Sequence, residues 1–374
     1  MSTRIAKPIS RATQVDTVAG RVIHHQPAFS GVYVGSPSLA ILPSGTYVAS
    51  HDLFGSGGSE DTTLIHASSD KGVTWRQIAT IKGQYWSGLF VHRGALFIMG
   101  TERLFGPVVI RRSIDGGVTW THPTTANNGR LRDDSAYHTA PVPLVISNGK
   151  IWRAMEESGS SDQWPHRFRP ILMSARVDRS LLRAKNWHST VPLDRPASAL
   201  EGQFIGWLEG NVVKDRTGKL INIVRVDSQL QGEQVAFLEL GADGQTLVPS
   251  GFASFPGGSK KFSIRYDEVS DAYWTITNWV PERHYGRDPV RTRNTLALAR
   301  SADLRKWEVT RVLVEHHDPA THGFQYADWL FEGDDIVSVI RTAATDEFGG
   351  AQNQHDANFL TFLRVPNFRI AGPV

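Results

Sequence analysis

Two eight-residue stretches, SSDKGVTW at residues 68–75 and SIDGGVTW at residues 113–120, carry the strongest structural signal in this chain. They share six identical positions, and their first residues lie 45 positions apart (113 − 68). The Asp side chain of each stretch can accept hydrogen bonds from nearby backbone N–H groups and hold a turn. The Gly supplies a backbone conformation that a Cβ atom forbids, and the Trp packs between neighbouring strands. The repeat is therefore a folding device, and it informs on architecture before it informs on function.

A hairpin pattern recurs along the whole chain. Apolar runs rich in β-branched and aromatic residues flank turns that contain Gly, Asn or Asp, which is typical of β-hairpins. Six such hairpins are found, at residues 37–51, 86–99, 143–152, 211–221, 262–277 and 328–341. Echoes of the eight-residue stretch occur at residues 301–307 and, expanded by insertion, at residues 174–187. Residues 157–206 are the least regular, and we expect a loop on one face there.

The repeat spacing and the hairpins together predict a single all-β domain over residues 1–374. A period of roughly 40–50 residues is that of propeller blades, each a small sheet packed against its neighbours. Six hairpins imply at least six blades. We expect the chain ends, around Val22 and residues 359–363, to pair with each other and complete a further blade, because ring closure removes exposed strand edges.

The eight-residue pattern resembles the Asp-box of sialidase-type β-propellers. That resemblance implies a β-propeller in which the boxes lie far from the chemistry. A true sialidase also needs an Arg cluster for the sugar carboxylate and a Tyr–Glu pair as nucleophile. Tyr266 and Tyr285 are candidate tyrosines. The Arg-Ile-Pro segment that usually opens those enzymes is absent, and residues 4–8, which read RIAKP, match it only poorly.

Composition narrows the function classes. The chain has 40 Lys and Arg against 37 Asp and Glu, a balance that argues against nucleic acid as a partner. No stretch has the apolar length of a membrane span, and the N-terminus lacks the apolar core of a signal peptide. The absence of Cys excludes disulfides and thiolate metal sites. Location stays open: periplasmic or secreted if a leader has been removed, otherwise cytoplasmic.

Four longer strings resemble one group of polysaccharide-degrading propellers. They lie at residues 33–38 leading to 50–52, at 137–143 leading to 152–154, at 207–211, and at 255–258 leading to Phe262. The group contains seven-bladed ulvan lyases, rhamnosyl-glucuronate lyases and a family of α-L-rhamnosidases that uses a histidine. The resemblance covers most of the chain. It implies seven blades and, as partner, an anionic oligosaccharide or polysaccharide that contains uronate.

The rhamnosidases of this group resemble the chain at His51. The resemblance implies that His51 is catalytic in releasing α-L-rhamnose linked to D-glucuronate. A histidine carries protons near neutral pH, and the uronate of the substrate could supply the negative charge that a missing carboxylate pair would otherwise provide. The alternative is a buried histidine that bonds a strand carbonyl.

A lyase that acts by β-elimination is the second hypothesis. It implies roles for His138, which matches one His motif, and for Arg225, which follows Glu209 by 16 residues (225 − 209). The tyrosine of the lyases is replaced by Glu209 or the nearby Trp207, so a proton donor is missing. The first His, expected near Val118, is also absent, and His122 is the nearest substitute. These departures favour structural roles for His138 and Arg225.

Several further residues are candidates for substrate binding. Arg153 and Arg265 lie on predicted inner strands, where a guanidinium group can grip a carboxylate, although pairing with Glu156 or Asp267 is the simpler expectation. Trp207, Trp329 and Tyr326 could stack on sugar rings, with core packing as the alternative.

Metal binding is a possibility that the sequence leaves open. A divalent metal could bind at the cluster of His316, His317, Asp318 and His322, or at His355 with Asp356. Their spacing matches no strong metal motif, which favours a solvated loop. The sequence thus favours a rhamnose-releasing glycoside hydrolase, with a uronate lyase or a non-catalytic glycan-binding propeller as alternatives.

Overall fold

The computed structural model describes residues 18–230 and 232–370, which form a ring of antiparallel sheets. The strands are β1 Arg21–His25, β2 Tyr33–Ile41, β3 Tyr47–Phe54, β4 Thr62–Ser68, β5 Arg76–Lys82, β6 Tyr85–His92, β7 Ala95–Thr101, β8 Val108–Ser113, β9 Arg130–Arg132, β10 Ala136–His138, β11 Val145–Ser147, β12 Lys150–Ser158, β13 Phe168–Arg176, β14 Trp187–Ser189, β15 Phe204–Lys214, β16 Leu220–Ser228, β17 Gln234–Leu240, β18 Leu247–Ser254, β19 Ser263–Asp267, β20 Ala272–Asn278, β21 Thr295–Ser301, β22 Glu308–Glu315, β23 Gly323–Glu332, β24 Asp335–Ala343 and β25 Phe359–Val365. The helical segments of these residues are short 3-10 turns: Ala28–Ser30, Pro165–Arg167, Ala184–Asn186, Ala199–Gly202 and Glu282–His284. No helix in the described ranges is long and apolar enough to cross a membrane.

The sheets are the blades of a six-bladed β-propeller. Blade 1 is β2–β5, blade 2 is β6–β9, blade 3 is β10–β14, blade 4 is β15–β18 and blade 5 is β19–β22. Blade 6 has the order β23-β24-β25-β1. Each of the six hairpins predicted from the sequence joins the inner strand of one blade to its second strand. The hairpin count therefore gave the number of blades, which is one fewer than the seven that the closer resemblance implied.

The predicted pairing of the chain ends is confirmed. Strand β1 lies antiparallel to β25, with Val22 opposite Thr361. This pairing completes the blade that the last hairpin begins, so it adds no seventh blade. Strand β1 thus closes the ring by filling the outer edge of the last blade.

The repeated eight-residue stretches form the same turn in blades 1 and 2. The Asp70 carboxylate accepts hydrogen bonds from the Thr74 N–H at 2.9 Å and from the Ser68 hydroxyl at 2.7 Å, and the Trp75 indole N–H bonds the Gly72 carbonyl at 3.1 Å. The second copy repeats these contacts around Asp115. In blade 5, Asp303 holds the equivalent turn between β21 and β22. Each turn lies between the third and fourth strands of its blade, at the outer rim.

The core lies between the blades. One cluster joins Trp152 of blade 3 to Trp207 of blade 4, and another joins Leu39 of blade 1 to Leu360 of blade 6. Strands β7, β16 and β24, in the middle of their blades, are buried on both faces, which explains why they read as nearly continuous apolar runs. Polar side chains pin adjacent inner strands as well: Ser38, Asn211 and Asp328 each accept a bond from a backbone N–H of the next blade, from Leu89, Ile264 and Leu39 respectively.

Candidate functional site

Four inner strands carry the same bulge at one end of the propeller axis. The bulged residues are Ser36, Trp86, Glu209 and Tyr326, each with a positive φ between 35° and 58°. A β-bulge re-aims a side chain, and non-glycine residues hold such angles only where the surrounding structure enforces them. We call this end of the axis the mouth.

The second strands of three of these blades each place an ionisable side chain next to the bulge of the inner strand. Asp52, Arg225 and Arg341 lie opposite Gly35, Leu208 and Gln325, each of which directly precedes a bulged residue. Equivalent positions of different blades surround the axis at the same height. The fold therefore brings three ionisable second-strand side chains to the level of the bulged residues.

The centre of the mouth is a hydrogen-bonded chain of Tyr326, Glu209 and Arg225. The Tyr326 hydroxyl donates to Glu209 Oε1 at 2.6 Å, and Arg225 Nη1 donates to Glu209 Oε2 at 2.9 Å. Arg225 also bonds Asp227 at 3.3 Å. Tyr326 is on blade 6 and Glu209 on blade 4, so their contact bridges non-adjacent blades across the mouth. Glu209 and Arg225 are almost completely buried, whereas Tyr326 is half-buried.

The charges in this hydrogen-bonded group favour an ionised Glu209 and a protonated Tyr326. Burial alone would raise the pKa of Glu209, but the nearby charges of Arg225 and His138 and the Tyr326 hydrogen bond bring that pKa below its usual value. Burial, followed by the charge of Glu209, raises the pKa of Tyr326 to about 12. Burial acts to lower the pKa of Arg225, but the negative charges of Asp227 and Glu209 outweigh burial and raise that pKa. The phenol is thus protonated with its hydrogen aimed at a carboxylate that can accept it.

Two further arginines line the mouth beside Tyr326. Arg341 lies over the Tyr326 ring, with its Cζ atom 5.1 Å from the ring centroid, and donates to the His355 carbonyl at 2.5 Å. Arg293 bonds the side chain of Gln325 and, through Nε, the Val290 carbonyl at 2.8 Å. Burial lowers the pKa of both arginines, to about 10 for Arg293. The Nε atoms of Arg341 and Arg225 are buried and have no hydrogen-bond partner within the described part of the chain. The arginine trio of Arg225, Arg293 and Arg341 concentrates positive charge that is suited to bind a carboxylate.

Asp52 provides a second carboxyl group at the mouth. Its oxygens accept a bond from the Trp86 backbone N–H at 2.6 Å and from the Thr63 hydroxyl at 2.7 Å, and no described cationic side chain forms a salt bridge with it. Burial raises its pKa to about 7. Asp52 therefore differs from Glu209, whose charge is held by Arg225.

Aromatic side chains form one wall of the mouth. The His138 ring lies 4.4 Å from the Trp86 ring and 5.5 Å from the Trp164 ring, centroid to centroid, and His138 Nδ1 bonds Glu156 at 2.8 Å. Trp164 is 42% exposed. It lies in the loop between β12 and β13, within the irregular stretch where the sequence predicts a loop on one face. An exposed indole beside buried polar groups is a suitable platform for a sugar ring.

His51 lies on the opposite side of its strand from Asp52, because neighbouring residues of a strand face opposite ways. It is completely buried, and its Nδ1 atom bonds the Asp52 carbonyl at 3.1 Å. Its ring packs against His24 and His66. The structure thus places the predicted catalytic histidine within the packing of blades 1 and 6, and the next residue in the chain reaches the mouth.

The remaining predicted binding residues divide between the mouth and the interior. Glu209, Arg225 and His138 belong to the mouth, although no sequence argument joined Glu209 to Tyr326. Arg153 is completely buried and donates to the Val142 and Ala140 carbonyls at 2.8 and 2.9 Å. Trp207 and Trp329 are completely buried in blade packing, so neither presents a face to a sugar.

Arg265 lies at the other end of the axis. Its Nε atom donates to the Trp329 carbonyl at 2.6 Å, and it borders a cavity of about 450 Å³ lined largely by apolar residues of inner strands. That cavity contains neither Tyr326 nor Glu209. We place the site at the mouth because the buried charges converge there.

Sequence reasoning missed Asp52, Arg293 and Arg341, and it considered Tyr326 only as a stacking residue. A local signal for two of the bulges exists in retrospect. Glu209-Gly210-Asn211 and Tyr326-Ala327-Asp328 share one order: the mouth residue, a small residue, then a polar residue that pins the next blade. No local signal marks Arg293, which follows a loop.

Comparisons with known proteins agree on the architecture. No protein-family model matches the chain, and no curated protein sequence matches it either. Among solved structures, it is similar to an α-L-arabinanase from Penicillium chrysogenum, with a TM-score of 0.58, 13% identity, and coverage of 95% of this chain and 100% of that one. An α-L-arabinofuranosidase from Fusarium graminearum gives a TM-score of 0.60 at 12% identity, with coverage of 94% and 99%. A sialidase from Trypanosoma rangeli gives 0.55 at 15% identity, with coverage of 89% of this chain and 54% of that one. These likenesses establish the propeller fold.

Proposed function

We propose that the protein is a glycoside hydrolase of the sialidase type, which removes a carboxylate-bearing sugar from the end of a glycan. The observation that carries this proposal is the 2.6 Å hydrogen bond from Tyr326 to Glu209, whose other oxygen is held by Arg225. A tyrosine nucleophile is the known departure of sialidases from the usual pair of catalytic carboxylates. A neutral phenol avoids the repulsion that a carboxylate nucleophile would meet from an anionic sugar.

In the first step, the Tyr326 oxygen attacks the anomeric carbon, and the bond from that carbon to the leaving oxygen breaks. The phenol proton passes to Glu209, which already accepts it in a hydrogen bond. The leaving oxygen takes a proton from Asp52, whose carboxyl group forms no salt bridge with any side chain that the structure describes. In the second step, water replaces Tyr326 on the anomeric carbon. Asp52 then takes the proton of the water, and Glu209 returns its proton to Tyr326.

The arginine trio supports an acidic substrate. A sugar carboxylate placed among Arg225, Arg293 and Arg341 would gain charge-assisted hydrogen bonds in a site largely shielded from water. The anionic, uronate-type partner expected from the sequence has the same requirement. Release of rhamnose from glucuronate is therefore the alternative reaction for this pocket, with Tyr326 and Glu209 rather than His51 at its centre.

The comparisons add circumstantial support for glycan hydrolysis. The similar structures include an arabinanase bound to arabinobiose and a sialidase trapped as a covalent intermediate with 2,3-difluorosialic acid. Glycosidases of several specificities thus use this fold. Because fold alone does not give function, the proposal rests on the mouth residues.

Elimination at a uronate is the second candidate function, and one observation favours it. The sequence has no tyrosine at the position where the lyases carry theirs, but Tyr326 brings a phenol to the same carboxylate, Glu209, that Arg225 binds. His138 lies close enough to lower the pKa of Glu209. These groups could hold the uronate carboxylate and move the C5 proton.

The deciding experiment uses two substrates: an aryl α-ketoside of sialic acid and a rhamnosyl-glucuronate oligosaccharide. The products are analysed by mass spectrometry. A saturated acidic sugar, absent with Tyr326→Phe, supports hydrolysis, whereas an unsaturated uronate establishes elimination. Binding without turnover of either substrate points to a glycan-binding propeller. Incubation with 2,3-difluorosialic acid and peptide mapping then tests whether the adduct lies on Tyr326.

A further inference from the structure

Three histidines meet where the first and last blades join. His24 is on β1 of blade 6, whereas His51 and His66 are on β3 and β4 of blade 1. Their ring centroids are 4.8 Å apart for His24 and His51, 5.3 Å for His51 and His66, and 5.5 Å for His24 and His66. One potential ligand atom from each histidine lies within 4.8 Å of the others.

The Nε2 atoms of all three histidines are buried and have no hydrogen-bond partner among the residues that the structure describes. Orphaned buried polar atoms are uncommon in folded proteins because each costs its full desolvation penalty. Three such atoms in one cluster indicate a ligand that would satisfy them together. His51 Nδ1 bonds the Asp52 carbonyl at 3.1 Å, and a donating Nδ1 leaves Nε2 with its lone pair facing inward.

We propose that His24, His51 and His66 bind a divalent transition-metal ion, with zinc as the best fit. Three imidazoles suit zinc and its neighbours, and zinc binds His nitrogen at about 2.1 Å. A tetrahedral site with that bond length spaces its nitrogens about 3.4 Å apart. The longest separation here must therefore shorten by at most about 1.4 Å, which is within reach of small side-chain rotations.

The position of the cluster indicates what the ion does. The ligands come from the closing strand β1 and from the blade on the other side of the seam, so one ion ties the two ends of the ring together. His51 and His66 are almost completely buried, but His24 is only half-buried, which leaves an approach for the ion and for a fourth ligand. Because the site lies on the other side of β3 from Asp52, we assign it a structural role.

The histidine cluster predicted from the sequence is arranged differently. His316 and His322 stack face to face, with ring centroids 3.5 Å apart and an interplanar angle of 17°. His355 instead pairs with Asp356 at 2.8 Å. Neither group is among the described clusters with three mutually close ligand atoms. The divalent metal that the sequence left possible therefore has its best geometry at the blade seam.

The test is titration of the full-length, chelator-treated protein with Co²⁺ and Zn²⁺ salts. We expect one equivalent of Co²⁺ to bind with visible absorption of a nitrogen-ligated ion, Zn²⁺ to displace it, and Zn²⁺ to raise the Tm by several degrees. His66→Gln and the less buried His24→Gln should each weaken Co²⁺ binding at least about tenfold. His317→Ala and the exposed His188→Ala are matched controls that should bind as the wild type does.

Two results would overturn the proposal. One is the absence of stoichiometric Co²⁺ or Zn²⁺ binding by the wild-type protein. The other is Co²⁺ binding of wild-type affinity in His24→Gln, and an accompanying loss of binding in His317→Ala would assign the ion to the second histidine cluster. Should His66→Gln fail to fold, His24→Gln and the spectrum of the wild-type Co²⁺ complex still decide the matter.

Discussion

The Tyr326 hydroxyl lies 2.6 Å from Glu209 Oε1, although 117 residues separate the two in sequence. Each residue occupies the bulge of its inner strand, one in blade 6 and the other in blade 4. Their contact depends on ring closure and not on any local motif. Arg225 fixes the carboxylate from the other side, so the phenol has one defined partner.

Replacing Tyr326 by Phe should abolish turnover with little loss of binding. The substitution removes only the oxygen that attacks the anomeric carbon, and the loss of a nucleophile commonly lowers kcat by about 10³-fold or more. Steady-state kinetics on the aryl ketoside and calorimetric binding of the free acidic sugar measure the two effects. Tyr285→Phe is the control, because Tyr285 is 70% exposed. Wild-type kcat in Tyr326→Phe would refute the nucleophile assignment.

Replacing Glu209 by Gln should reduce both activity and stability. The amide cannot take the phenol proton, and Arg225 loses one charged partner in a buried site, which costs about 3 kcal/mol when a buried pair is broken. The free energy of unfolding, measured in urea, should fall accordingly. An unchanged free energy of unfolding would show that the pair contributes nothing to the fold.

The stability difference between wild type and Glu209→Gln should depend on pH. The folded pKa of Glu209 lies below its ordinary value of 4.5, so the folded state favours the ionised form. This contribution is fully present above pH 4.5 and is lost as the pH falls through the folded pKa. The difference in free energy of unfolding should therefore be largest near neutrality and shrink under acid. A gap that widens in acid would contradict the depressed pKa.

These residues show what the sequence could and could not predict. Repeated turns and hairpins are local, so they predicted the propeller, its closure by the chain ends and the lower limit of six blades. The mouth is assembled from residues that are distant in sequence, so Tyr326, Arg293 and Arg341 were not recognised together. His51 and Asp52 show how precisely a site residue must be placed. Neighbouring residues of a strand face opposite sides, so His51 packs where blades 1 and 6 join, whereas Asp52 faces the mouth.

Replacing Arg341 by Met should weaken binding of acidic substrates specifically. Its guanidinium group is buried over the Tyr326 ring, and its Nε atom has no hydrogen-bond partner among the described residues. We expect KM for an acidic sugar to rise about tenfold or more, since a charge-assisted hydrogen bond is lost. The affinity for a neutral analogue, in which an amide replaces the carboxylate, should change little. Arg112→Met, at an exposed position, is the control, and equal losses for both ligands would argue against carboxylate recognition.

Two tryptophan substitutions should separate sugar binding from folding. Trp164 is 42% exposed at the mouth, so Trp164→Ala should raise KM for oligosaccharides while leaving the Tm near its wild-type value. Trp207 is completely buried between blades 3 and 4, so Trp207→Ala should lower the free energy of unfolding by about 3–5 kcal/mol through the cavity it creates. Thermal unfolding and substrate kinetics on both variants measure the contrast. Unchanged stability for Trp207→Ala would contradict its assignment to the core. A large fall in Tm for Trp164→Ala would show that Trp164 supports the fold, and it would remove the evidence that the sugar-binding wall lies there.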